Sequence, residues 1–137
     1  MEGVILGLLA AVLYGIGTFF AKVVSNEDPY LQWIIVNIVG IVLCVILFGG
    51  KCKNLLDYPN KVLIYGVIAA ILVICGTLAL YYGLNKGKAS VVVPLSSIGP
   101  AITTVLAIIF LKEQLSFTQI AGIAMILSGV IVLSINS

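Results

Sequence analysis

The side chains able to handle a polar solute recur at helical spacing inside otherwise apolar stretches of the chain. Tyr14, Thr18 and Lys22 stand four residues apart and so share one face of a helix. Trp33, Asn37, Gly40 and Cys44 share a face in the same way, and Thr77 and Tyr81 lie together near the end of a later stretch. The densest set follows: Ser90, Pro94, Ser97 and Thr104 line one face, with Ser96, Pro100 and Thr103 on the adjoining one. Each proline removes a backbone donor and frees a carbonyl one turn earlier. Freed carbonyls beside serine hydroxyls can ligate a polar solute. The competing account has each Ser or Thr bonding back onto its own helix while the prolines only bend it. For any single hydroxyl the back-bond is the expectation; the breadth of the whole face is read as a cavity wall.

Lys22 carries the charge nearest to these groups. An ionisable residue inside an apolar span marks a functional site by default. It lies only a few residues from the end of its stretch, so its stem can also snorkel to the interface. Snorkelling is taken first, and contact with a substrate or lipid phosphate second. Other chemistries have no foothold. The chain has no His, no carboxylate cluster, no glycine-rich phosphate loop after a strand and no basic stripe. Cys44, Cys52 and Cys75 show no CxxC spacing and read as small apolar residues. No metal, cofactor or nucleic-acid partner is expected. An intramembrane enzyme needs polar catalytic groups at depth, and these are too few for enzymatic function to be the expectation.

The elements that position these residues follow from composition. Of 137 residues, 62% are apolar and 9% charged, against about 25% charged in a soluble domain. A helix in water needs one wet face, and so few charges cannot supply it, so the solvent of most of the surface is lipid. Crossing a ~30 Å hydrocarbon layer takes about 20 helical residues. Five uncharged stretches meet that need, at about 3–24, 30–48, 62–84, 89–111 and 116–135. In a bilayer only helices or closed barrels satisfy the backbone, and runs this long and apolar are helices. The expected fold is an all-α bundle of five transmembrane helices in one domain, residues 1–137, with membrane lipids around it. The first span lacks a basic leader and exceeds a signal-peptide core, so it reads as a retained helix. Ser25-Asn26-Glu27-Asp28-Pro29 reads as a polar turn in which Asp28 caps a helix starting at Pro29. A loop with Asp57 and Pro59 follows the second span, and Asn85-Lys86-Gly87-Lys88 breaks the third. Ser116 with Gln119 fits a capping box for the fifth.

Helices in lipid associate through small residues and close backbone approach. Gly3, Gly7, Ala11 and Gly15 form one smooth stripe on the first span, and Gly122, Ser128 and Gly129 a weaker version on the last. Five spans put the termini on opposite sides. Lys51, Lys53, Lys61 and Lys112 then fall on the N-terminal side, against Lys22, Lys86 and Lys88 on the other. That bias is slight by the positive-inside rule. Two topologies stay open: insertion both ways as an antiparallel homodimer, or one orientation with the N-terminus in the cytoplasm.

The stretch from Ala79 to Val130 carries a resemblance. Ala79-Leu80-Tyr81-Tyr82-Gly83-Leu84 precedes Ala89-Ser90-Val91-Val92-Val93-Pro94-Leu95. Pro100, Leu111-Lys112-Glu113-Gln114-Leu115-Ser116, Gln119-Ile120-Ala121-Gly122 and Leu127-Ser128-Gly129-Val130 follow in order. In this pattern the chain resembles the drug/metabolite transporter superfamily, as a single EamA-type repeat spanning Gly3 to about Leu133. The resemblance implies half of a ten-helix transporter fold, in which two oppositely oriented repeats move small metabolites by alternating access. The first four helices of each repeat would surround the pathway and the fifth would be peripheral. A chain holding one repeat would pair, as a homodimer or with a related chain. The small multidrug resistance relatives carry a membrane-embedded Glu in their first helix. The matching Leu13-Tyr14-Gly15-Ile16-Gly17-Thr18 has none, which argues against proton-coupled cation export by that route. The expectation is a transporter of small metabolites in a prokaryotic plasma membrane, with Tyr14, Thr18, Lys22, Trp33, Asn37, Thr77, Tyr81, Pro94, Ser96, Ser97 and Pro100 along the pathway. The alternatives are a flippase for a lipid-linked carrier and a non-transporting assembly subunit.

Overall fold

The first helix does not stop where the sequence turns polar. In the computed structural model, which describes residues 2–50 and 58–135, α1 runs over Glu2–Glu27. Asp57 and the lysines at 51 and 53, expected in the loop after the second span, lie outside the described residues. At 1.5 Å per residue, α1 is longer than the hydrocarbon thickness, and Ser25, Asn26 and Glu27 form its last helical turn. Asp28 alone separates it from α2, Pro29–Phe48. Asp28 is extended, with φ −154° and ψ 115°, and its carboxylate accepts the Tyr30 N–H at 2.8 Å, while Pro29 opens the helix. That is the cap the sequence indicates: one orphan amide is satisfied, and the proline lacks an amide to orphan.

α3 runs over Asn60–Lys86, a full turn longer than the apolar stretch suggests. The fourth span is broken. α4, Ala89–Ser96, contains Pro94; Ser97 then closes a tight turn, its N–H donating to the Pro94 carbonyl at 3.0 Å. α5 resumes at Ile98 and runs to Leu106. Pro94 and Pro100 each delete a ladder bond, and the ring of Pro100 crowds the carbonyl of Ser96, so the helix parts between them. The span ends in a π-helical turn, Ala107–Leu111, stopped by Lys112 at φ 55°. Lys112 is the only non-glycine residue with positive φ among the described residues. α6, Phe117–Ile135, begins with a reciprocal capping box. Gln119 Oε1 accepts the Ser116 N–H at 2.8 Å, and Ser116 Oγ accepts the Gln119 N–H at 3.4 Å.

Among the described residues five helical stretches are long and apolar enough to cross a bilayer: Glu2–Glu27, Pro29–Phe48, Asn60–Lys86, Ala89–Leu111 and Phe117–Ile135. The backbone groups into two compact units, Met1–Lys86 and Gly87–Ser137. In the first, α1, α2 and α3 pack on one another; in the second, α4 and α5 pack on α6. Burial is sparse. Among the described apolar side chains only Ala21, Pro29, Tyr81, Leu84 and Val130 are buried, while Phe110, Phe117 and Ile135 are each more than 70% exposed. A surface so apolar is one for lipid.

Within the first unit burial gathers at one end. Thr18, Ala21 and Ser25 of α1, Pro29 of α2, and Tyr81 and Leu84 of α3 are all buried. These are the last turns of α1 and α3 and the first of α2. Tyr30 and Tyr82 meet edge to face there, ring centroids 5.1 Å apart. No described residue of α1 before Thr18 is buried.

Candidate functional site

α1, α2 and α3 wall a groove of about 680 Å³. α1 presents one face to it, with Leu13, Tyr14, Gly17 and Thr18 at helical spacing. α2 adds Gln32, Val36 and Leu43, and α3 adds Leu80 and Tyr81. No lining side chain carries a charge at neutral pH. The polar groups are two phenols, one carboxamide and one hydroxyl set among aliphatic walls, the make-up of sites that bind organic solutes. Thr18 is partly committed, its hydroxyl donating to the Tyr14 carbonyl at 2.6 Å. A Cβ added at Gly17 would meet nothing within 4 Å, so a side chain there would enter open space.

Of the residues the sequence points to, Tyr14, Thr18 and Tyr81 come together in this groove. Trp33, Asn37 and Thr77 do not line it. The Trp33 indole N–H donates to the Ile74 carbonyl on α3 at 3.3 Å. Asn37 bonds back to the Trp33 carbonyl at 2.7 Å, and Thr77 to that of Val73 at 2.7 Å. Gln32 is the lining residue that sequence reasoning misses. It lies next to Trp33 and close to the start of α2, where a polar side chain reads as interfacial. Its one detectable signal is a shared face with Val36 and Leu43.

Lys22 sits past one end of the groove and ties two helices. Its ammonium donates to the Leu84 carbonyl, in the last turn of α3. The Asn85 carboxamide returns the bond, donating to the Ser25 carbonyl at 2.7 Å and the Asn26 carbonyl at 3.4 Å, in the last turn of α1. Carbonyls of a last helical turn have no intrahelical donor and carry partial negative charge. Two such ends side by side repel unless donors intervene. A hydrogen bond from a charged group contributes about 1.5–3 kcal/mol, so the Lys22 bond is the larger of the two.

The second unit holds its own groove, of about 580 Å³, lined by Thr103, Thr104, Glu113, Gln119, Gly122 and apolar neighbours. Ser96 and Pro100 are exposed and Ser97 half-buried, and with Pro94 they stand outside that lining. Three hydroxyls of this span turn inward on their own backbone. Ser96 donates to the Val93 carbonyl at 2.6 Å, Thr103 to Gly99 at 3.2 Å and Thr104 to Pro100 at 2.9 Å. The smooth stripe of α1 is open among the described residues of its own unit. A Cβ at Gly3, Gly7 or Gly15 would find no atom within 4 Å, Ala11 is exposed, and Gly122 and Gly129 are equally open.

Comparison with known proteins gives the site its context. The sequence profile of the EamA-like transporter family matches residues 1–135. An uncharacterized protein of Methanocaldococcus jannaschii is 58% identical over 134 residues, 98% of this chain and 97% of that protein. An uncharacterized transporter of a Sinorhizobium species is 23% identical over 131 residues, covering 93% of each. An uncharacterized transporter of Archaeoglobus fulgidus is 26% identical over 132 residues; these are 96% of this chain but 46% of that protein. No solved structure matches the chain.

Proposed function

The chain belongs to the EamA-like transporter family, and from that premise we propose that it moves small, uncharged or zwitterionic amphipathic metabolites by alternating access as a dimer. It is a multi-pass integral membrane protein of a prokaryotic membrane. The observation that carries the substrate reading is the groove of the first unit, an apolar trough with Tyr14, Gln32 and Tyr81 as its hydrogen-bonding groups. A strongly charged solute would enter it without a counter-charge and lose its hydration. An amino-acid-like or other amphipathic molecule can lay its apolar part on Leu13, Val36 and Leu80 and turn its polar end to the phenols and carboxamide.

Three observations support pairing. The Archaeoglobus relative is about twice the length of the matched stretch, while the other two relatives are close to this chain's own length. The Gly3–Gly15 stripe offers a smooth helix face, on which a Cβ at Gly3, Gly7 or Gly15 would meet nothing within 4 Å, suited to close approach by a second chain. The lysines are divided almost evenly between the two sides, as an antiparallel pair requires.

The deciding experiment is counterflow in proteoliposomes with a panel of labelled neutral amino acids and uncharged amphipathic solutes. Gly17→Leu adds an apolar side chain at a lining position where a Cβ meets nothing within 4 Å, and uptake is expected to fall at least tenfold while insertion stays normal. Uptake unchanged in Gly17→Leu removes the groove from the pathway. Crosslinking of single cysteines at the two termini tests pairing: N-to-C products support the antiparallel dimer, and like-to-like products alone exclude it.

A further inference from the structure

We infer that the paired carboxyl ends of α1 and α3 form a gate closing one mouth of the first unit's groove, latched by Lys22 and Asn85. The inference deepens the transport reading above and rests on it. Lys22 of α1 donates to Leu84 of α3, and Asn85 of α3 donates to Ser25 and Asn26 of α1. Each helix thus supplies the donor for the other's last carbonyls. Separating the two ends breaks all three bonds and returns two like-signed helix termini to solvent, so the latch releases as a unit.

The latch lies directly beyond the groove. Ala21 and Tyr81 belong to the lining, and Lys22, Ser25, Leu84 and Asn85 follow within one turn. Beneath it Ser25 and Leu84 are fully buried. At the other end α1 has no buried side chain among its described residues before Thr18. Within the first unit the side chains at the latch end of the groove are buried and those of α1 at the other end are not, an asymmetry of the kind that alternating access requires of each state. The seal also holds a destabilising group. Ser25 Oγ is buried and makes no hydrogen bond. A helical serine ordinarily bonds back to its own helix, and a buried polar atom without a partner opposes the closed state. Opening would hydrate Ser25 as it releases the three crossing bonds, so the cost of opening is partly offset.

The test uses the full chain in membranes, lacking Cys44, Cys52 and Cys75. Cysteines at Glu27 and Lys86 report closure by oxidative crosslinking. In a second protein, Gly17→Cys reports water access to the groove through a membrane-impermeant thiol reagent added from the latch side. Lys22→Met with Asn85→Leu is expected to slow the crosslink about tenfold and to speed modification at position 17 by a similar factor. Lys22→Arg, which keeps a charged donor, restores both rates. Unchanged rates in the double variant, in protein that elutes from detergent like the parent, overturn the gate. A third protein keeps Lys22 and Asn85 native and carries all three cysteines. Oxidising its 27–86 pair should protect position 17 from the latch side, and protection no greater than in the reduced form also overturns the gate. These readouts need no substrate. A gate that responds in a protein without measurable uptake stands while the transport reading falls. Uptake that survives the 27–86 disulfide sinks the gate and leaves the transport reading intact.

Discussion

The latched end of the first unit and the broken fourth span use polar groups in opposite ways. At the latch, Lys22 and Asn85 reach across to carbonyls of a neighbouring helix. In α4 and α5, Ser96, Thr103 and Thr104 satisfy themselves on their own helix. A short hydroxyl side chain in lipid finds its nearest acceptor three or four residues back, and the bond joins nothing. A long side chain near a helix end reaches past its own ladder to the unpaired carbonyls of a neighbour. Polar residues in a membrane helix therefore differ in kind: the first sort bends or softens a helix, and the second holds two helices together.

That contrast is open to measurement, beginning where the effect is largest. Lys22→Met should cost about 1.5–3 kcal/mol of stability in a detergent unfolding titration. Its loss should be non-additive with that of Asn85→Leu, because both donors serve one pair of helix ends. Additive losses would mean that the two bonds act separately. Asp28→Ala removes the cap on α2 and should cost about 1 kcal/mol, read as faster amide exchange at Tyr30 and Leu31 with little change in the last turn of α2. Lys112→Gly relieves the left-handed residue that ends the π-helical turn. It should stabilise the chain by up to about 1 kcal/mol; a loss would show that the lysine side chain, and not its backbone, matters at that position. Smallest of all, Thr103→Val and Thr104→Val remove hydroxyls that bond only to their own helix and should each shift stability by no more than about 0.5 kcal/mol. A loss as large as that of Lys22→Met would erase the distinction between the two regions.

Much of the fold is legible in the chain because its determinants are local. Hydropathy over about 20 residues marks a span, and the Asp28-Pro29 and Ser116–Gln119 caps act within four residues of sequence. The prolines at 94 and 100 signal the break in the fourth span for the same reason. The candidate site is legible only in part. Tyr14, Thr18 and Tyr81 reach the groove as their spacing suggests, whereas Trp33 and Asn37 lie one residue's rotation away from the face that carries Gln32. One residue is about 100° around a helix, and in a span apolar on every side no amphipathic stripe fixes which face turns inward.

The sequence by itself determined that this protein lives in lipid, that it crosses as five helices, and where two of those helices are capped, since transfer energy and capping depend on neighbours along the chain. Only the tertiary structure decided that Lys22 answers Leu84 across 62 residues and Asn85 answers Ser25 across 60. Those pairings depend on two helices running side by side in the same direction, and nothing within reach of either residue along the sequence encodes the carbonyl it will meet.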